Sequence, residues 1–480
     1  MQNFGRLRLI LFIGFLCLAG SLTNYAQLAD TAVAPTINAC ADSSQLTIFI
    51  ADIAITGYKK TKPYIIQREI PFKKGDSMLR SELPKWVELC RQQVMNTSLF
   101  VEVEVKAQYI TTDIVLINVH VNERWYLFPL PYFEMIDRNF NTWWVDHKHS
   151  LERINYGLTF THNNLSGRND KLNVSLITGY TQKIALRYEN PFLDKSLMHG
   201  MNVGFSYSLN HEVNYATNLN KQSFIKQDDE YLIKQLHIDL GYSYRPAVKT
   251  RHNFRIGYSD LQISDTVIKL NPNFSSTAAR RIRFPDFNYS IQYFNVDYIP
   301  YPLRGFAGDA HFYKRFGKED NVWEIGGKGT YTKKVLPTSY LQFQASGVIR
   351  FPYKQPYYNI KMFGTSDLYM RGLEYYVIDG VAGGMVRATA IQQLIQFKIS
   401  NPINIKTIDK IPFRFMVKAF SDLGYSYNPH PGNSTLNNKL LGTWGIGLDV
   451  ITIYDIVFRL EYSFNQLGEK GLFIHTKSDF

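Results

Sequence analysis

Few side chains in this sequence are arranged for covalent chemistry. Asp146-His147-Lys148-His149 offers metal-binding types, and in an extended chain His147 and His149 share a face. Two imidazoles are too few for a structural zinc site. Gly326-Gly327-Lys328-Gly329-Thr330 has the glycines and lysine of a phosphate loop, but lacks its spacing and opens no helix. No G-x-S-x-G elbow and no locally supported Cys–His pair occurs. Cys17 lies in an apolar leader. Cys40 and Cys90 could form a bridge in an oxidising compartment, or Cys90 could be a buried thiol on a helix. The expectation is a protein that is not an enzyme, with no metal and no cofactor. One strand-like stretch holds charge in a more telling pattern. In Phe413–Tyr425, Arg414, Lys418, Phe420 and Asp422 fall on one side, and Phe413, Phe415, Val417 and Leu423 on the other.

The elements that carry these residues follow from composition and period. The chain has 480 residues, with 15% aromatic and 20% charged side chains and a net charge of +12. Beyond the leader no apolar run reaches the roughly 20 residues that a spanning helix needs, and the aromatics argue against long disorder. The basic residues are scattered, which excludes nucleic acid as a partner. Arg6 and Arg8 precede apolar Leu9–Gly20, and Ala26 offers a small residue for cleavage. This is a secretory signal over residues 1–26, followed by a short polar segment, 27–45.

Residues 46–124 read β-α-α-β-β, a small α+β domain. Leu46–Thr56 is strand-like, Pro63 opens a helix, and Leu83, Trp86, Val87, Cys90 and Val94 mark one face of a second. Phe100–Val105 and Ile114–Val121 alternate as strands. Residues 125–153 read as a linker and entry segment, and 154–480 as about sixteen strands. In Ile456–Asn465, Ile456, Phe458, Leu460, Tyr462 and Phe464 oppose Val457, Arg459, Glu461, Ser463 and Asn465. Leu236–Tyr244 repeats the scheme. Alternation alone fits a soluble sandwich or a barrel in lipid. Apolar faces long enough for about 25 Å of bilayer, aromatics near strand ends and the terminal Phe480 favour a sixteen-stranded antiparallel transmembrane β-barrel.

A single small domain before such a barrel resembles the BamA/TamA/Sam-type superfamily, also described as the bacterial surface antigen family, whose soluble units are POTRA domains. The resemblance rests on Ile53-Ala54-Ile55-Thr56-Gly57, Arg68-Glu69-Ile70, Gly75-Asp76, Ser98–Val103, Val119–Glu123 and Asn190-Pro191-Phe192-Leu193. Its most specific part is Met370-Arg371-Gly372-Leu373, similar to the R-G-F/Y motif of an extracellular loop that folds into the lumen. Phe420-Ser421-Asp422-Leu423-Gly424 is similar to the strand that receives that arginine. The resemblance therefore pairs Arg371 with Asp422, with Gly424 beside them. Leu303-Arg304-Gly305-Phe306 is a closer letter match, but it opens a mid-barrel strand and reads as a turn. Leu373 stands where the family has an aromatic, and Gln392 and Gln393 where many members have a glutamate that would be a second arginine partner.

What the resemblance implies is a Gram-negative outer-membrane assembly factor. The partners would be the outer-membrane bilayer, unfolded β-barrel clients, and periplasmic chaperones or accessory lipoproteins. Client strands would be templated at a weak seam formed by the last strand, which includes Gly471, Leu472, Ile474 and Phe480. The periplasmic domain would receive clients along an edge strand bearing Phe100, Val101, Val103 and Val105. The alternative is a two-partner secretion pore, in which the client crosses the lumen and the loop with Arg371 acts as a gate.

Overall fold

The computed structural model describes residues 46–135, 144, 148–150, 154–318, 320–364, 368–400 and 410–475. The export signal, Cys40, Asp146, His147 and Phe480 lie outside the described residues.

The N-terminal domain comprises β1 (Thr47–Thr56), α1 (Pro63–Glu69), β2 (Ser77–Leu79), α2 (Leu83–Met95), β3 (Phe100–Tyr109) and β4 (Ile114–Glu123). Its sheet runs β2-β1-β4-β3, with β1 parallel to β4 and β3 at one edge. Proline opens both helices, where its missing N–H costs no intrahelical bond. Ile65, Ile66, Cys90 and Val94 from the helices pack on Ile48, Ile50, Val115, Ile117 and Val119. Burying this layer is the main force holding so small a unit together. Glu123 explains the acidic end of the fourth strand. Its carboxylate accepts the backbone N–H groups of Lys60 and Thr61, at 2.7 Å for the closest contact. It thereby fixes the loop that enters α1.

The remaining chain forms one sixteen-stranded sheet of antiparallel neighbours. In order it contains β5 (Leu127–Met135), β6 (Ile154–Asn163), β7 (Lys171–Gly179), β8 (Thr181–Asn190) and β9 (His199–Asn210). A small hairpin, β10 (Glu212–Asn218) and β11 (Lys221–Lys226), interrupts it. The sheet resumes with β12 (Ile233–Tyr244) and β13 (Thr250–Ile263), then, after helix α3 (Asp265–Leu270), β14 (Arg281–Val296), β15 (Gly305–Arg315), β16 (Val322–Leu336) and β17 (Ser339–Phe351). A long connection carrying β18 (Lys361–Phe363) and β19 (Ile378–Asp379) precedes β20 (Ala382–Ser400). The last strands are β21 (Lys410–Tyr427), β22 (Leu440–Ile451), β23 (Val457–Asn465) and β24 (Lys470–His475).

The first strand refines the sequence-based boundary. The sequence reads as a linker and barrel entry over 125–153 and as barrel from residue 154; within the entry segment β5 already pairs with β6 from Leu127↔His162 to Met135↔Ile154. Pro129 and Pro131 hid this strand, because proline reads against a sheet interior. On an edge strand it is tolerated, provided its ring faces away from the partner.

The faces are inverted relative to a soluble sandwich. On β23, Arg459, Glu461, Ser463 and Asn465 are buried, whereas Phe458 and Leu460 are exposed. On β12, Asp239 is buried and Ile238, Leu240 and Tyr242 are exposed. Apolar residues facing outward around a polar interior are what lipid demands of a barrel wall. The sheet curls on itself. Phe128 on β5 meets Tyr454, in the turn after β22, edge to face at 5.5 Å. Arg124 grips Asp455 in the same turn at 2.6 and 3.1 Å. No described helix is long and apolar enough to cross a membrane.

The small domain is fastened to one rim. Arg245, at the turn after β12, holds Glu69 of α1 through two hydrogen bonds of 2.6 and 2.9 Å, with both residues buried. Arg68 donates to the carbonyls of Leu197 and Arg245. Phe192, from the Asn190-Pro191-Phe192-Leu193 turn, inserts into the domain's core and lies under both guanidiniums.

Candidate functional site

The connection between β17 and β20 folds into the lumen. Gly372 adopts φ +85°, a conformation that strains any side chain, and an added Cβ would press on Ser463 and Phe464 of β23. This turn aims Arg371 at β21. The Nε of Arg371 donates to Asp422 at 2.9 Å, and Nη2 donates to the other carboxylate oxygen. The backbone N–H of Arg371 adds a third bond to Asp422, at 3.3 Å. Phe420 lies 3.9 Å under the guanidinium, and the Thr389 hydroxyl accepts from it. Arg371 is 6% exposed and Asp422 fully buried. A planar fork on a carboxylate with a ring beneath it is a contact that lysine could not reproduce.

Met370 and Leu373 anchor the flanks in an apolar cluster with Met362, Phe363, Ile378 and Leu441. Leu373 thus fills the place of the expected aromatic by packing. Gly424 is part of the same fit, since a Cβ there would collide with the Met370 Sδ. The second arginine partner comes from elsewhere than position 392 or 393. Gln392 bonds Thr338 and Ser339 at the far rim, while Glu461 of β23 stands 4.0 Å from Arg371.

Sequence reasoning set Lys418 and Glu461 on the polar strand faces without joining them to Arg371, and it missed Arg387, Glu374 and His475. Arg387 of β20 lies 3.5 Å from Asp422 and donates to the Tyr369 carbonyl. Lys418 bridges Asp449 and Glu461 at 2.7 and 2.6 Å. His475 of β24 contacts Glu374, just past the motif, at 3.2 Å. Strand parity was the available signal, since each residue alternates with a lipid-facing neighbour. Glu374, Glu461 and His475 bring ligand atoms within 4.8 Å of one another. However, Arg371, Arg387, Lys418 and Arg459 already balance Asp422, Asp449, Glu374 and Glu461 in number. A divalent ion would add uncompensated charge to this interior.

The opposite rim closes on the same network. The turn between β14 and β15 folds inward, burying Tyr301 and Leu303 against Ile391, Met416, Ile451 and Val457. The Tyr301 hydroxyl donates to Asp449 at 2.8 Å. A cavity of about 20 Å³ lies between Tyr301 and Pro302 on one side and Tyr369 and Arg371 on the other. Arg304 is exposed, and Gly305 opens β15, so the Leu303–Phe306 segment is a turn from which Leu303 points inward beside Tyr301.

Each edge strand of the sheet pairs on one side. Among the described residues β24 pairs with β23 alone, over six residues, and β5 with β6 alone. Leu472 and Ile474 point outward, Phe473 inward, and Gly471 makes room for the Phe473 ring. The β5–β6 register runs unbroken through Pro129 and Pro131. Their ring nitrogens must therefore point away from β6, towards the seam, and that edge lacks two donors. In the small domain, Phe100, Val103 and Val105 are buried and Val101 half-buried, so β3 faces the core with these side chains, and among the described residues its outer backbone edge pairs with no strand.

Residues 48–124 match the family model POTRA, described as surface antigen variable number repeat. No curated protein matches the chain. Among solved structures, CdiB from Escherichia coli aligns over 89% of this chain and 75% of its own, at 11% identity and a TM-score of 0.52. BamA from Haemophilus ducreyi, lacking POTRA domains 1–3, aligns over 89% and 83%, at 14% identity and 0.49. CdiB from Acinetobacter baumannii aligns over 89% and 73%, at 13% and 0.47. The chain is thus similar in fold to CdiB from Escherichia coli, and itself has a POTRA domain followed by a sixteen-stranded transmembrane barrel.

Proposed function

We propose that the protein is an outer-membrane assembly factor. It would sit with its POTRA domain in the periplasm and add client β-strands at the seam between β5 and β24. The observation that carries this reading is the contrast between lumen and seam. The lumen is filled from both rims, by the loop of Arg371 and by the turn of Tyr301. At the seam the first strand turns an edge lacking two donors towards the last strand. A free edge in lipid is costly, so a client strand that pairs there gains much of what it loses on leaving water. The POTRA domain would offer its β3 edge to clients in the periplasm, before the membrane step. No covalent chemistry is required. Periplasmic chaperones or accessory lipoproteins would deliver clients to the POTRA domain.

Two-partner secretion is the competing reading, since the same fold serves it. It would need both plugs to leave the lumen, breaking the Arg371–Asp422 and Tyr301–Asp449 contacts. Depleting the protein and quantifying membrane barrels and exported proteins in the same cells separates the two. Assembly predicts a broad loss of folded barrels. Loss of one exported protein with barrels unchanged would refute it.

A further inference from the structure

A cavity of about 400 Å³ lies between α2 of the POTRA domain and the turns that follow β12 and β14. Lys85, Lys249, Arg251 and Arg304 line it, and none has an ion-pair partner among the described residues. The acids that share its wall are already engaged. Glu69 is held by Arg245, Glu88 by Arg91, and Asp297 accepts the backbone N–H groups of Tyr298, Leu303 and Arg304. Arg251 lies over the Phe294 ring at 5.5 Å, which fixes its plane without neutralising it. The surplus cations converge on one space, and a low-dielectric wall strengthens their field there.

The walls say what kind of anion fits. Leu89, Val248 and Val296 add apolar surface, and the volume far exceeds that of an inorganic ion, since a single water takes only about 30 Å³. Phe294 and Arg251 sit on the inward-facing side of their strands, because Phe254 and Tyr293, of opposite parity, are exposed. The cavity therefore lies at the mouth of the barrel, beside the POTRA domain. We propose that it receives an acidic, partly apolar peptide segment, with carboxylates on Lys249 and Arg251 and apolar side chains against Leu89 and Val248. This rests on the reading of the protein as one that handles unfolded chains. It adds a site apart from the seam and the β3 edge, selecting by charge.

The test uses the full chain in detergent micelles and a dye-labelled peptide alternating aspartate with leucine and phenylalanine. Binding is read by fluorescence anisotropy, with no membrane step, so it can fail while assembly stands, and the reverse. The aspartate peptide is expected to bind at least about tenfold tighter than its asparagine analogue, with affinity falling as salt rises. The double variant K249Q/R251Q is expected to lose about tenfold or more, corresponding to two charge-assisted contacts. It leaves the Glu69–Arg245 fastening intact, and heat-modified gel mobility confirms that it is folded. Equal binding of the two peptides, or unchanged binding by a folded double variant, overturns the proposal. Complete displacement of the aspartate peptide by millimolar inorganic phosphate would mark a small-anion site and would overturn it too.

Discussion

Replacing Arg371 with alanine should free its loop without unfolding the barrel. The substitution removes the two guanidinium contacts to Asp422 and the ring contact with Phe420, and keeps the backbone N–H contact to Asp422. It leaves a fully buried carboxylate facing Arg387 at 3.5 Å. Breaking a buried ion pair from one side costs about 3–5 kcal/mol. Because Arg387 remains, the lower end applies, and about 3 kcal/mol corresponds to roughly a hundredfold shift in the loop's opening equilibrium. The local reporters are the N–H groups of Leu373 and Tyr376, which donate to Met370 and Leu373 within the loop. Their hydrogen exchange in micelles should quicken about a hundredfold, while amides of β14 to β16 keep their wild-type rates. Arg371→Lys should fall between, since one ammonium cannot bridge both oxygens. In a double-mutant cycle the effects of R371A and D422A should be far from additive. Exchange in R371A within about threefold of wild type would show that the clasp does not hold the loop, and would refute the reasoning.

Four further outcomes follow from the same geometry. Pro129→Ala with Pro131→Ala restores two backbone donors at the seam edge, each worth about 0.5–1.5 kcal/mol when bonded; Cys-pair cross-linking between β5 and β24 should become faster and client assembly slower, and unchanged values for both would remove the prolines from the account. Leu373→Ala empties part of a closed cluster and should loosen the same loop by about 2–5 kcal/mol, read by the same exchange experiment. Burial pushes the Glu123 carboxyl up, but the N–H groups of Lys60 and Thr61 outweigh it and hold it below the usual carboxylate range. Its stabilisation is therefore complete above that range and is lost as pH falls through it, because the unfolded chain binds the proton more readily; urea titrations followed at Trp86 should show this slope, and Glu123→Gln should abolish it. Burial alone pushes the Cys90 thiol up to about 12, so iodoacetamide at pH 8 should leave it unmodified until the domain unfolds; rapid labelling of folded protein would contradict the packing.

Period and parity made most of this fold legible. The barrel strands announced themselves because lipid imposes strict alternation, and the opposed parities of Leu423 and Asp422 placed the carboxylate in the lumen. Where the sequence misled, a local rule was overridden by position. Pro129 and Pro131 argue against a strand until the strand is known to be the first, a fact that depends on closure with residues 300 positions away. The Tyr301 turn carries no periodic signal, so its insertion into the lumen could not be read. Arg245 and Glu69 lie far apart in sequence, and nothing local links them. Arg371 was legible only through resemblance, whereas Arg387, which shares its carboxylate, followed from parity alone and was passed over.

The central claim is that clients leave through the seam and not through the lumen. It is tested most directly by tethering each route in turn in proteoliposomes supplied with an unfolded barrel protein. One variant carries cysteines at Leu130 of β5 and Leu472 of β24, both exposed on the edge strands. A second carries cysteines at Met370 and Gly424, which fix the loop to the wall. Cys40 and Cys90 are replaced by alanine in both. The account predicts that oxidation of the first variant abolishes assembly of the protease-resistant client barrel, that reduction restores it, and that the second variant stays active when oxidised. Full assembly with the seam tethered, and none with the loop tethered, would contradict it.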